Sequence, residues 1–311
     1  MIYVYSKWLM RLANININGS PRLCVKGQNG YLDIASVLQN ELFSDLRSFL
    51  EAGKGALEAA KQLETLRGQK YDRAAFAPVI TDPGRILCLG LNYQDHALQS
   101  GRPSKPPWPE VFMRNKNTIT APFGELVKPS VTDQFDFEGE LGIIIGEGGR
   151  FIKAAEAPDK VAGFVVINDA TARDWQKAAS QWTCGKNFDA TFPLGPELVT
   201  LDEMDPTNLT LKTSVNGTTF QSANTGEMIF NVWEIVEFLS GICRLAPGDV
   251  IATGTPGNVG MALNPPLFLN NGDIVSVEIE NLGTITNMVS DGEKPAEPWP
   301  WKPKRIDSPL I

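Results

Sequence analysis

No stretch of this chain approaches the ~20 consecutive apolar residues that a membrane-spanning helix requires, so no membrane partner is expected. An excess of positive charge is also missing. The 36 acidic and 28 basic side chains leave a net charge of −8, and an acidic surface repels phosphate backbones, which excludes nucleic acid as an expected partner. Cysteine is scarce: Cys24, Cys88, Cys184 and Cys243 are separated by long gaps that match no zinc-binding spacing. A reducing compartment without disulfides follows, and Cys88, in the apolar run Ile86–Gly90, reads as a buried free thiol. No fixed repeat period is present, which argues against a solenoid. Acidic residues are absent before Asp33, whereas Lys7, Arg11, Arg22 and Lys26 stand among apolar residues. That pattern allows an organelle-targeting segment, mitochondrial for instance. Residues 11–18 already read as a first strand, however, and Met10 is a second candidate start, so a cytoplasmic protein is the expectation.

What is present is an ordinary globular composition, 42% hydrophobic and 21% charged, over 311 residues. That is long enough for one large core and a smaller module. Residues 11–37 read as short strands with a turn at Gln28-Asn29-Gly30, and 39–66 as helix, with Leu42, Leu46, Leu50 and Leu57 at helical steps and Gly53 and Gly55 as breaks. Pro78 and Pro83 bracket a linker. A small α+β domain over 1–80 is therefore predicted. From 84 to 292 short β-rich runs alternate with Gly, Pro and Asn clusters: 86–90, 138–146, 163–169, 209–215, 250–253 and 274–279, with helices over 173–180 and 228–239. This is a mostly β unit with some α, of roll, sandwich or barrel type. The segment 293–311, with Pro298-Trp-Pro-Trp301, reads as an extended tail.

The strongest chemical signal is acidic. Residues 135–145 read Phe-Asp-Phe-Glu-Gly-Glu-Leu-Gly-Ile-Ile-Ile. In a strand, alternate side chains share a face, so Asp136, Glu138 and Glu140 line up ~6.6 Å apart, opposite an apolar face. Like charges so close raise one another's pKa unless a cation sits among them. A solvated face or a charged edge strand would carry the same pattern. Against that reading, the flanking strand is too apolar for an edge, and Gly139 removes a side chain where backbone is packed closely. Asp169 closes the next apolar run. Alone it reads as a cap or a turn residue; as a third oxygen donor beside Glu138 and Glu140 it completes a site suited to Mg²⁺ or Mn²⁺.

Six segments in order resemble the fumarylacetoacetate hydrolase family: Gly90-Leu-Asn-Tyr-Gln-Asp-His96, Phe137-Glu-Gly-Glu-Leu141, Asn168-Asp-Ala-Thr-Ala-Arg-Asp-Trp-Gln176, Gly185-Lys-Asn-Phe-Asp189, Pro247-Gly-Asp-Val250 and Thr253-Gly-Thr-Pro-Gly257. The resemblance implies a β-roll or sandwich, a homodimer, and Mg²⁺ or Mn²⁺ on Glu138, Glu140 and Asp169. It implies Lys186 and Gln176 near the substrate and Thr255 on a substrate carboxylate. The activities it implies are hydrolysis of acylpyruvates and other β-diketo acids, decarboxylation of oxaloacetate-like acids, and keto–enol or double-bond isomerisation.

His96 is the only histidine, and it opens a Gly- and Pro-rich segment suited to a lid. Its near-neutral titration suits proton transfer. Three residues on, hydrolases of the resembling family carry a glutamate, where this chain has Gln99. In a helical turn i and i+3 share a face, so Gln99 is expected to orient His96 without holding a charge, which weakens water activation. Lys186 reads as a partner for a carboxylate or enolate oxygen. The Gly254–Thr255 bend offers hydroxyls and N–H groups to a carboxylate, and Arg114 is a candidate for a second acidic group, with a structural salt bridge as the alternative. Trp175, Trp182 and Trp233 read as core or interface. The leading expectation is metal-dependent hydrolysis of a C–C bond in a keto or diketo acid. Decarboxylation or tautomerisation stands close behind because of Gln99, and a non-catalytic, metal-stabilised ligand-binding relative is the third reading.

Overall fold

An Asn-Gly pair starts the fold. Asn18 and Gly19 both adopt positive φ, 52° and 84°, the geometry a two-residue hairpin turn needs, and they join the strands Arg11–Ile17 and Ser20–Gly27. The computed structural model describes residues 10–102, 106–301 and 303; the basic residue Lys7 and part of the expected lid lie outside them. A third strand, Gly30–Asp33, pairs with the second. Asp33 then caps the helix Ile34–Leu38 by accepting from the Ser36 N–H, and Asp45 caps Leu46–Glu51 through Ser48. Gly53 separates that helix from Lys54–Leu63, whereas Gly55, read as a second break, lies inside the latter helix. Ala56, Ala60 and Leu63 turn inward onto Leu12, Leu23 and Val25.

The N-terminal strands do not form a sheet of their own. Leu12 faces Leu198 across an antiparallel pairing of Arg11–Ile17 with Phe192–Val199. The large sheet therefore runs Gly30–Asp33, Ser20–Gly27, Arg11–Ile17, Phe192–Val199, Val161–Asn168, Gly139–Ile145, Val250–Ala252, Ile86–Gly90 and Glu110–Arg114, with two short strands attached. The boundary expected at 80–84 is a seam crossed by this sheet and by a shared core that joins Met10, Leu12 and Leu23 to Ile144, Val165 and Leu194.

Five further strands, Thr218–Asn224, Thr210–Val215, Ile274–Ile279, Gly283–Asp291 and Glu125–Lys128, form a second sheet in that order. Its Leu211, Val277, Ile279 and Ile285 pack with Leu141, Ile143, Ile145 and the helix Val232–Ile242. The central strand Gly139–Ile145 is covered on both faces, with every residue buried, which is why it reads as an unbroken apolar run. That helix begins at 232 rather than 228 because Asn231 and Glu234 form a capping box there. The helix read over 173–180 ends early, as Arg173–Gln176. In the tail, Trp299 and Trp301 are exposed.

The alternation read across 135–145 is interrupted. Phe135–Asp136 pairs with Thr171–Ala172 in a separate two-stranded piece, and the main strand starts only at Gly139. Phe135 and Phe137 pack with Leu126, Val275 and Val289, in a different cluster from Leu141, Ile143 and Ile145.

Candidate metal centre and active-site cavity

The register of two neighbouring strands assembles the acids. Gly139 faces Asn168, and the Asp169 N–H donates to the Glu138 carbonyl at 2.8 Å. Glu138, Glu140 and Asp169 thus come together, all buried, with carboxylate oxygens within 4.8 Å of one another. Asp136 does not join them. The break after it turns its carboxylate to Arg173 Nε (2.8 Å) and to the N–H groups of Gly260 and Met261 (2.7 and 3.0 Å). Gly139 is required by close packing: a Cβ there would lie 2.1 Å from Thr213 Oγ1 and 3.0 Å from Val277 Cγ1.

The three acids differ electrostatically. Lys186 Nζ donates to Glu138 Oε2 at 2.6 Å and to Asp169 Oδ2 at 2.5 Å, and Arg173 reaches Glu138 Oε1 at 2.6 Å. Burial alone would raise the Glu138 carboxyl, but Lys186 and Arg173 pull it down to about 2. Glu140 accepts from the Gly254 N–H at 2.8 Å. Burial pushes its carboxyl well above the usual range, and the nearby Asp169 and Glu138 push it further. Counting Asp136, four buried carboxyl groups face three buried cations, Lys186, Arg173 and Arg114, so the full set, once ionised, carries one negative charge more than its cations, and Glu140 is the acid raised by that imbalance. Oxygen-only donors with unmatched negative charge fit a hard divalent cation.

Glu138, Glu140, Arg173 and Lys186 open onto a cavity of about 870 Å³. Its lining includes His96, Gln99, Glu138, Glu140, Arg173, Gln176, Lys186 and Thr255, with Phe112, Trp182, Met261 and Phe268 as apolar walls. Trp182, read as core or interface, instead packs edge-on to Phe112 at 5.5 Å beside the cavity, whereas Trp233 packs on Phe164 in the core. His96 lies on the short helix Gln94–Gln99, nearly fully buried, its Nδ1 without a partner. Burial lowers the imidazole to about 4, Glu138 opposing and Arg173 and Lys186 adding, so it is neutral at pH 7.

Three sequence expectations change at this level, and one divided reading resolves. Gln99 does not reach His96: its Nε2 donates to Asn258 Oδ1 at 3.0 Å and its Oε1 accepts from the Asn258 N–H at 2.8 Å. Arg114 takes the second of its two readings, a structural salt bridge: it bonds Asp169 Oδ1, Thr191 Oγ1 and the Ala170 carbonyl and does not line the cavity. The Gly254 N–H is taken by Glu140. The single hydroxyl hydrogen of Thr255 goes to the Gly139 carbonyl at 3.0 Å, so that hydroxyl has none left for a substrate carboxylate. Arg173 and Asp136 make ion-pair contacts beside the triad that the sequence did not show. Arg173 stands within the 168–176 segment that resembles the family, but nothing in its spacing said that it would turn back onto Glu138.

A family model described as fumarylacetoacetate hydrolase C-terminal matches residues 85–290. The chain belongs to the fumarylacetoacetate hydrolase family. Among its relatives in the family is the Homo sapiens protein named oxaloacetate tautomerase FAHD2A, mitochondrial, 41% identical over 249 residues that cover 78% of this chain and 79% of that one. Two solved family structures share the fold. Fumarylacetoacetate hydrolase from psychrophilic Exiguobacterium antarcticum superposes with a TM-score of 0.80 at 31% identity, covering 91% of this chain and all of that one. The 5-carboxymethyl-2-hydroxymuconate delta-isomerase from Mycobacterium smegmatis superposes with a TM-score of 0.72 at 29% identity, covering 92% and 100%. The mostly β fold expected for this family member is the one observed. Among its described residues, no helix is long and apolar enough to cross a membrane.

Proposed function

We propose that this chain, an enzyme in the hydrolase and isomerase range of its family, is a Mg²⁺- or Mn²⁺-dependent tautomerase of an oxaloacetate-like 2-keto acid. One observation carries the choice among family reactions. Gln99 is locked to Asn258, so His96 has no carboxylate to make it a strong activator of water. Hydrolysis of a C–C bond, the first expectation from sequence, needs that activation; moving a proton between carbon and oxygen does not. The tautomerase name of the human relative supports the same choice.

Glu138, Glu140 and Asp169 would hold the cation, which when bound supplies Lewis acidity to the keto oxygen. The chain's own groups do the rest. His96, neutral and buried in the cavity wall, takes the proton from the carbon next to the ketone and returns it to oxygen. Lys186, whose ammonium group donates to Glu138 and Asp169, offsets through its charge the negative charge that develops on that oxygen. The Gln176 carbonyl is held by Arg173 at 3.1 Å, which leaves its NH₂ end to donate to a substrate carboxylate. We also read the protein as a homodimer. Glu110–Arg114 is an edge strand of the large sheet, and Val111 and Met113 project from it, exposed, near exposed Trp108. The mitochondrial names of the relatives favour that organelle over the cytoplasm expected from sequence.

The test is to add purified protein and Mg²⁺ or Mn²⁺ to enol-oxaloacetate and follow the loss of enol absorbance. Deuterium entry at the carbon beside the ketone is measured in parallel, with release of carbon dioxide and cleavage of acylpyruvates. Faster enol loss and deuterium entry, without faster carbon dioxide release, are expected. Cleavage or decarboxylation outpacing enol loss would refute the assignment, and metal binding with no turnover of any substrate would leave a ligand-binding protein.

A further inference from the structure

Gln221 lies on the other sheet, in the strand Thr218–Asn224, and is completely buried. Its Oε1 accepts from the Gly139 N–H at 3.0 Å, and its Nε2 donates to Thr255 Oγ1 and the Pro256 carbonyl at 2.9 Å each and to the Gly257 carbonyl at 3.3 Å. The amide orientation is forced. Reversing it would set NH₂ against an N–H and a carbonyl oxygen against two others. Thr255 in turn donates to the Gly139 carbonyl at 3.0 Å. Gly139, Gln221 and Thr255 thus close a hydrogen-bonded ring around the one residue between the two glutamates.

The ring has a structural reason. On this edge, the strand Gly139–Ile145 pairs with Val250–Ala252, and the pairing reaches from Ile144 only to Gly142. Thr253 extends it by donating to the Leu141 carbonyl at 3.1 Å, and the chain then bends away through Gly254. The N–H and carbonyl of Gly139 are left without a strand partner, at the point where Glu138 and Glu140 must diverge correctly. Two side chains from different parts of the fold fill that gap.

The geometry points to Gln221 as a positioning residue that sets the separation of Glu138 and Glu140 and so the affinity of the cation site. The inference rests on the triad being that site. Gln221 touches neither the cavity nor the carboxylates; it acts through Gly139 and the 255–257 bend. Residues one step behind a metal ligand typically change metal affinity or activity by about 10–100-fold.

The experiment measures Mn²⁺ dissociation constants from the electron paramagnetic resonance signal of free Mn²⁺, with circular dichroism and thermal midpoints of the metal-free proteins. Gln221→Met keeps the length and removes all four hydrogen bonds. It is expected to fold with the wild-type spectrum and to bind Mn²⁺ about tenfold or more weakly. Thr255→Val breaks the same ring, so the double variant is expected to lose little more than the worse single variant. Wild-type Mn²⁺ affinity in a folded Gln221→Met, or fully additive losses, would overturn the inference. If Gln221→Met does not fold, Thr255→Ser, which keeps the hydroxyl, should retain Mn²⁺ affinity where Thr255→Val loses it; equal affinities overturn it. A wild-type chain that binds no Mn²⁺ overturns both the inference and the metal-site reading. One that binds Mn²⁺ without tautomerising oxaloacetate refutes the tautomerase reading alone, because the titrations need no substrate.

Discussion

The residue between the glutamates of the candidate metal site should tolerate no side chain, and the structure says what would relieve one. In Gly139→Ala the new methyl carbon would stand 2.1 Å from Thr213 Oγ1 and 3.0 Å from Val277 Cγ1. Thr213 cannot retreat with its backbone, because Thr210–Val215 is paired on both sides. Overpacking of this kind costs about 1–3 kcal/mol. Part of that would appear as a displaced Gly139 backbone, and Mn²⁺ affinity should fall by about 10-fold or more, as for groups supporting metal ligands. Thr213 Oγ1 has no hydrogen-bond partner, so Thr213→Ala alone sacrifices no polar interaction. Combined with Gly139→Ala it should restore most of the stability and Mn²⁺ binding, with a remainder from Val277. Urea unfolding of the metal-free proteins and Mn²⁺ titration read the two effects separately. Wild-type stability and affinity in Gly139→Ala, or a double variant no better than the single, would refute the reasoning.

Gln99→Glu should raise acylpyruvate hydrolysis less than about threefold, or well under 1 kcal/mol. The new carboxylate keeps the Asn258 N–H, and an Asn258 amide flip restores the second bond; a large gain would show that residue 99 does turn to His96. In the native state a thiol reagent should label exposed Cys184 quickly and leave buried Cys24 and Cys88 until denaturation, Cys24 also being pushed up to about 12 by burial. Mass spectrometry of the labelled peptides checks this. Asp33 titrates below its ordinary range: burial would raise it, but hydrogen bonds from Arg22 and Ser36 outweigh that. A depressed carboxyl stabilises the fold above its unfolded value of about 3.9 and loses that contribution as pH falls through the folded value. The stability advantage of wild type over Arg22→Met should therefore be full at pH 7 and shrink in acid, as followed by denaturant midpoints. Met113→Lys should shift the protein from dimer to monomer in light scattering if the exposed edge strand is the dimer contact.

The acidic pair and its third partner were legible because strand register is local. Glu-Gly-Glu in an apolar strand, and an aspartate closing the next strand, fix positions through adjacent pairing alone. The order of the β segments was legible for the same reason, since each apolar run is its own signal. Asp136 misled because alternation assumes an unbroken strand, and the break at 137–138 has no mark in residue type. Gln99 misled because helical spacing gives the face of a side chain, not its competitors; Asn258 arrives from more than 150 residues away. Gln221 left no trace at all, and Arg114 was legible only as two alternatives, a substrate contact or the structural salt bridge that it forms. Each acts through contacts set by tertiary packing, and a buried polar residue in a strand looks like any surface one until its partners are in place.

The seam at 80–84 has a practical consequence. A chain trimmed to the segment that the family model matches would strip Arg11–Ile17 from Phe192–Val199. It would leave a raw β-edge beside the uncovered side chains of Leu194 and Leu198, an invitation to stick to a neighbour. Residues 10–80 are therefore a splint for the rest of the fold, and excising them should yield aggregates rather than a smaller folded protein.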